Sequence, residues 1–168
     1  MAAGPERRAG RSKARELVMR VLYESDLIGD DPQAILELSF GRFHFTEAGR
    51  RHAEALVQAY RRHRRAVDRA IRETLQNWDL SRVGTVERAI LRLGATEILY
   101  LPDTPAPVVL DEAIRLAHRY LDERGAGFVN GVLDPIARRV RGAEMASGEP
   151  AESAGSGSPP THPDPDGP

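Results

Sequence analysis

The sequence predicts an all-α protein of about six to seven helices. Six segments repeat apolar residues at three- and four-residue spacing, no segment alternates apolar and polar as a half-buried strand does, and the breaks fall at capping residues, glycines and prolines. The first helix spans about Ser12 to Leu27, with Ala14, Leu17, Val18, Val21 and Leu22 as its apolar stripe. Asp31-Pro32, a cap followed by a proline in the first turn, starts a short helix through Leu36 to about Phe40. After a loop over 41–45, Thr46 caps a long helix whose stripe runs from His52, Ala55, Leu56 and Ala59 through Ala66, Val67, Ala70 and Ile71 to Leu75. Trp78 and Leu80 are read as anchors of the connection that follows.

From about Arg82 to Leu99 the chain is apolar nearly all round, as expected of a central helix packed on several sides. Pro102, Pro105 and Pro107 close it and open the next helix, to about Leu121, with Val109, Leu110, Ala113, Leu116, Ala117 and Tyr120 on one face. The last helix is expected from about Gly127, using Val129, Val132, Leu133, Ile136 and Val140. Pro135 within it removes a backbone donor and crowds the preceding turn, so either the helix kinks or Asp134 caps a second piece. Gly131 is read as admitting a close neighbouring helix, since glycine mid-helix costs about 1 kcal/mol relative to alanine. The implied organisation is a basic flexible arm over 1–10, a helical domain over 11–141 and a disordered acidic Pro/Gly/Ser tail over 142–168.

Composition narrows the function classes. The chain has 40% hydrophobic and 29% charged residues, no run long enough to span a bilayer and no apolar segment of signal type after the first cations, which points to a cytoplasmic protein with no membrane role. With no cysteine, disulfides, thiolate metal sites and a cysteine nucleophile are ruled out. The net charge of −1 hides an asymmetry. The last 26 residues hold five acids (Glu144, Glu149, Glu152, Asp164, Asp166) and no Lys or Arg, and without those five the rest carries 24 basic against 20 acidic residues.

Catalytic signals are weak, and neither an enzyme nor a cofactor or metal is expected. The five histidines (His44, His52, His63, His118, His162) include no pair at the four-residue spacing of zinc helices. His52 lies on an apolar stripe and reads as a packed histidine, and the adjacent Asp111 and Glu112 point about 100° apart on a helix. Gly125, Gly127 and Gly131 lack both a preceding strand and the spacing of a dinucleotide loop. The arginines between Arg61 and Arg72 read chiefly as the solvated face of a long helix.

The informative segment is the start of the first helix, where Arg7, Arg8, Arg11, Lys13 and Arg15 crowd together. A helix macrodipole is positive at that end, so each cation there costs a few tenths of a kcal/mol, roughly, and an external polyanion would offset the penalty. Tyr23 lies about three turns along the same helix and Phe128 sits just off the core stripe of the last one, beside glycines. An aromatic ring beside a cationic patch can stack an unpaired base. The plainer alternatives are a solvated basic arm and rings that simply pack. Glu87, Arg88 and Arg92 punctuate the most apolar helix either as ion pairs or as partner contacts.

Three blocks in order resemble the NusB transcription antitermination factor family across roughly residues 7–141. They are Arg11-Ser-Lys-Ala-Arg-Glu16 running to Leu22-Tyr23, Trp78-Asp-Leu80 with Val86-Glu-Arg-Ala-Ile-Leu-Arg92-Leu and Glu97, and Val109-Leu-Asp-Glu-Ala-Ile114 with Leu116-Ala117 and Phe128-Val-Asn-Gly-Val-Leu-Asp134. The resemblance implies two packed helical bundles that bind the boxA element of ribosomal RNA leader transcripts together with NusE, the small-subunit ribosomal protein. It further implies an antitermination complex in which RNA polymerase reads through terminators. By position the family's arginine-rich motif falls on Arg11, Lys13 and Arg15, with Arg7 and Arg8 nearby, and its RNA-contacting aromatics fall on Tyr23 and Phe128. The block holding Glu87, Arg88 and Arg92 falls where the family meets NusE.

Ser12 interrupts the arginine run, His118 stands where lysine is common, and the loop before Phe128 lacks an acid carried by some members. The oligomeric state stays open, a homodimer that covers the RNA surface until NusE arrives being one form. Two other function classes remain: a protein-binding helical adaptor without RNA contact, and an RNA-binding module like that of ribosomal RNA methyltransferases.

Overall fold

The computed structural model describes residues 4–148 except Asn77, with the side chains of 147 and 148 left aside. Its elements are α1 (Pro5–Ile28), α2 (Pro32–Phe40), α3 (Glu47–Leu75), a single 3₁₀ turn (Leu80–Arg82), α4 (Thr85–Tyr100), α5 (Ala106–Tyr120) and α6 (Glu123–Gly148). No strand occurs among the described residues. Helices α1, α2 and α3 form one bundle and α4, α5 and α6 a second, and α4 joins them by packing on α1 and α3 as well as on α5 and α6. That is why α4 has no polar face. Every residue from Ala89 to Ile98 is buried.

The caps read from sequence are present. Gln33 N donates to Asp31 Oδ1 at 3.1 Å and Gly49 N to Thr46 Oγ1 at 3.1 Å, each satisfying an otherwise orphaned helix donor. Three boundaries differ from the sequence reading. Helix α1 starts at Pro5 rather than Ser12, because a proline with its preset φ suits the first turn and Gly10 is buried against α3. The basic arm is therefore helical from Pro5 on. Helix α6 starts at Glu123 rather than Gly127, Gly125 N donating to Asp122 Oδ1 at 2.8 Å, so the glycines lie inside it.

At the other end α6 continues past 142 to Gly148. It passes through Pro135, and its backbone leaves helical geometry at Arg141 instead (φ −133, ψ 41). The bend turns the last stretch onto the α4–α5 loop. Arg141 Nη2 donates to Thr104 O at 2.7 Å and Pro102 O at 3.1 Å, and Ala106 N donates to Glu144 Oε2 at 2.9 Å. The remainder of the expected tail, 149–168, lies outside the described residues.

The close helix approach is between α1 and α3, not at Gly131. A Cβ on Gly49 would lie 2.8 Å from the carbonyl oxygen of Gly10, and one on Gly10 would lie 2.5 Å from Thr46 Oγ1, whereas nothing lies within 4 Å of a Cβ at exposed Gly131. Gly49→Ala should therefore lower stability by about 1–3 kcal/mol, since it is backbone that must move. Gly131→Ala should raise stability by up to about 1 kcal/mol. Thermal unfolding of both variants checks the contrast, and equal shifts would contradict it.

Trp78 also departs from expectation. Leu80 is buried, but Trp78 is 56% exposed.

Candidate nucleic-acid interface

The α1–α3 crossing at Gly10 and Gly49 fixes where the first two turns of α1 project their cations. Helical winding then divides those cations among different surroundings. Arg7 and Arg11, four residues apart, face a hollow of about 330 Å³ shared with Arg51 and His52 of α3 and the loop from Tyr100 to Thr104. Arg8 and Lys13 border a second hollow on the α5 side, with Ser12, Arg115 and Arg119. Both are exposed. Lys13 is steadied by the α2–α3 loop, its Nζ donating to His44 O at 2.8 Å and lying 5.0 Å from the Phe45 ring centre.

Arg15, read from sequence as a phosphate contact, points inward and is only 4% exposed. Position 15 is three before Val18 and seven before Leu22, so it shares their buried face. The guanidinium grips Glu97 of α4 in a bidentate pair, Nε to Oε2 at 2.8 Å and Nη2 to Oε1 at 2.6 Å. His52 Nε2 lies 3.1 Å from Glu97 Oε1, and Glu112 Oε2 is 3.9 Å from Arg15 Nη1. Ser12 Oγ donates to Glu112 Oε1 at 2.9 Å. Burial alone would push the Glu97 carboxyl up, but the hydrogen bonds and charges of Arg15 and His52 outweigh it and hold it down at about 2. This network ties α1, α3, α4 and α5 together and keeps the Arg15 guanidinium and the Glu97 carboxylate out of solvent. His52 is the packed histidine expected from its stripe, with Glu97 as its polar partner.

Arg88 and Arg92, expected at a partner contact, both enter internal bridges, Arg92 buried and Arg88 half-buried. Arg92 donates to Asp68 Oδ1 at 2.9 Å, Asp68 Oδ2 at 3.2 Å and Asp26 Oδ1 at 3.1 Å. Arg88 donates through Nε to Asp26 Oδ2 at 2.8 Å and through Nη1 to Val83 O at 3.0 Å. Desolvation raises the Asp26 carboxyl, but the bonds from Arg88 and Arg92 more than reverse it and the net shift is downward. Together they bridge α4 to α1 and α3. Of the three residues assigned to partner contact, only Glu87 has no such internal bridge, and it is half-buried.

Tyr23 is 36% exposed on α1 and Phe128 half-buried at the start of α6. Phe128 lines a groove with Trp78, Arg82, Glu87 and Arg124. The groove thus brings together two residues that the sequence reading gave to different partners, Glu87 and Phe128, and adds the exposed indole. A separate set of contacts forms the α1–α5 seam. There Arg20 Nη2 donates to Tyr120 Oη at 2.9 Å, Arg119 Nη1 lies 3.1 Å from Glu16 Oε2, and Tyr120 Oη donates to Glu16.

Arg115, Arg119, Arg20 and Trp78 were missed as site candidates. The Arg115/Arg119 pair at four-residue spacing was visible, but only the packing of α5 beside α1 makes it continuous with Arg8. The arginines of α3 from Arg61 to Arg72 are exposed, and Arg61 pairs with Asp31 at 2.7 Å. Among the described residues no His/Asp/Glu group could hold a metal, and no helix is long and apolar enough to cross a membrane.

The sequence pattern of the NusB family matches residues 12–138. A transcription antitermination protein NusB of Sorangium cellulosum (strain So ce56) is 38% identical over 130 residues, 77% of this chain and 93% of that protein. The solved structure of T. maritima NusB superposes with a TM-score of 0.73 at 29% identity, covering 81% of this chain and 96% of that one. A crystal structure of antitermination factors NusB and NusE in complex with double-stranded RNA contains a chain that superposes with a TM-score of 0.71 at 31% identity, covering 78% of this chain and 98% of that one.

Proposed function

Because this chain belongs to the NusB family, we propose that it is a non-enzymatic transcription antitermination factor. It binds the boxA RNA of ribosomal RNA operon transcripts together with NusE and joins the complex in which RNA polymerase reads through terminators. The observation that carries the reading is the run of exposed guanidinium and ammonium groups at the start of α1 and along α5, in a chain that also holds a groove lined by the Trp78 and Phe128 rings.

Phosphates of a single strand meet Arg8, Lys13, Arg115 and Arg119, with Arg7 and Arg11 on the adjoining face. Tyr23, Phe128 and Trp78 supply π-faces for unpaired bases, and a base can be splayed onto a ring only where the RNA is not paired. Arg15 acts one step back. By clamping α1 to Glu97 it sets the direction in which the other cations point. Glu87, half-buried in the same groove, is the acidic residue placed to meet NusE. Salt screens the field of the RNA backbone, so contacts to its phosphates weaken with ionic strength more steeply than a largely apolar protein contact does.

Titration of boxA-like and scrambled RNA, with and without NusE, at two salt concentrations tests the reading. The logarithm of the affinity should fall linearly with log salt, by about 0.7 in slope per phosphate neutralised. Arg8→Ala and Lys13→Ala should each reduce that slope by about one contact's share. Phe128→Ala and Trp78→Ala should each weaken binding by about 1–3 kcal/mol, roughly 5- to 150-fold. Binding of NusE that persists while RNA binding is absent in every condition would favour the adaptor instead.

A further inference from the structure

We propose that the hollow walled by Arg7, Arg11 and Arg51 is a docking surface for this chain's own acidic C-terminal segment, residues 149–168, which there competes with RNA. The competition rests on the RNA reading above; the docking does not.

The hollow has an excess of unsatisfied cationic donors. Among the described residues the side chains of Arg7 and Arg11 make no ion pair or hydrogen bond, and Arg11 Nε is buried without an acceptor. A buried donor left unpaired is unfavourable, so an arriving acceptor gains more there than at an open surface. Arg51 has only a solvent-exposed pairing with Glu47 at 3.6 Å, which holds it weakly. Against these three guanidinium groups the lining supplies one carboxylate, Asp103.

The described end of α6 packs on the loop that walls this hollow, and an acidic segment follows it in sequence. The wall opposite α1 is the loop from Tyr100 to Thr104, and Arg141 of α6 donates to Pro102 O and Thr104 O of that loop. The bend at Arg141 and the hydrogen bond from Ala106 N to Glu144 hold the last stretch of α6 against the same loop, with Met145 buried. From Gly148 onward the sequence carries Glu149, Glu152, Asp164 and Asp166 and neither Lys nor Arg. Extended chain spans at most ~3.3–3.6 Å per residue, so a segment of 20 residues has ample reach from the end of α6. Tethering also makes the segment a high-concentration ligand for a nearby site, which allows a few charge pairs to suffice. In the opposite direction α1 offers Arg7 and Arg11 to RNA phosphates, so tail and transcript contend for the same donors.

Two measurements on full-length protein decide it. The first compares the native chain with a tail-neutralised chain (Glu149→Gln, Glu152→Gln, Asp164→Asn, Asp166→Asn) in binding single-stranded boxA-like RNA at low ionic strength. Neutralisation should tighten binding about threefold or more, because a site occupied two-thirds of the time loses that factor in apparent affinity. The second titrates a fluorescent synthetic peptide of residues 149–168 onto the tail-neutralised chain. The peptide should bind at low salt and lose at least fivefold in affinity with Arg51→Glu. Arg65→Glu, the same charge change about 21 Å along α3, should leave it within twofold.

A peptide that does not bind, or that responds equally to both substitutions, overturns the docking. A peptide that binds as expected while RNA affinity ignores the tail overturns the competition alone. Failure of every variant to bind RNA refutes the functional reading, and the peptide titration still decides the docking.

Discussion

Arg15→Ala is expected to lower the unfolding free energy by about 3–5 kcal/mol, the cost of leaving a buried carboxylate without its partner. The residue is 4% exposed and grips Glu97 through two bonds of 2.8 and 2.6 Å, with only His52 left to compensate when it is removed. Arg15→Lys should recover little of this, because an ammonium cannot reproduce the planar fork. Urea unfolding of the purified variants measures the effect. A phosphate-contacting Arg15 would behave oppositely, with stability unchanged and RNA affinity reduced, and that outcome would contradict the assignment.

Acid titration reports on the same pair. Glu97 titrates near 4.5 in the unfolded chain and at about 2 in the folded one, so the folded state favours the ionised form. Its contribution is fully present above about pH 4.5 and is lost as pH falls towards 2, a change on the order of 3 kcal/mol. Other carboxylates also titrate there, so the informative quantity is a difference. The unfolding free energy of Glu97→Gln should fall less between pH 5 and pH 2 than that of the native chain.

Arg92→Ala should cost a comparable 3–5 kcal/mol, since it strands Asp68 in a buried site and removes one of two partners of Asp26. The sharper test replaces both members of the inner pair. Arg92→Met combined with Asp68→Leu should be much more stable than either single variant, because apolar side chains of similar bulk leave no uncompensated charge. Asp26 keeps Arg88 in that background. A double variant as unstable as the sum of the singles would mean the bridge is not a coupled unit. NusE binding that is lost in the folded double variant would restore Arg92 as a contact residue.

Both predictions concern arginines that the sequence presented as binding residues, and one cause hid their internal bridges. An arginine on a helix reads as surface unless its partner is known, and the partners here are distant: Glu97 is 82 residues from Arg15, and Asp68 and Asp26 are 24 and 66 residues from Arg92. A finer reading of periodicity would have found part of this. Position 15 shares a face with Val18 and Leu22, and Glu97 stands inside the helix whose residues Ala89 to Ile98 are all buried, where an acid needs a cation. Nothing local, by contrast, marked Trp78 as accessible. A tryptophan beside a buried Leu80 packs more often than it protrudes.

Helix order, the caps at Asp31 and Thr46 and the central position of α4 were all legible, because each depends on spacing or on a neighbour within four residues. Local chemistry also marked the start of α1 as cationic. The sequence by itself therefore determined that this is a chain of amphipathic helices with an arginine-rich opening turn. Which of those arginines look outward was decided only by tertiary packing, which buried Arg15 against Glu97 and left Arg8 and Lys13 in solvent. Helical periodicity sets the angle between side chains on one helix. The free energy of burying a charge depends on what the other helices bring to meet it.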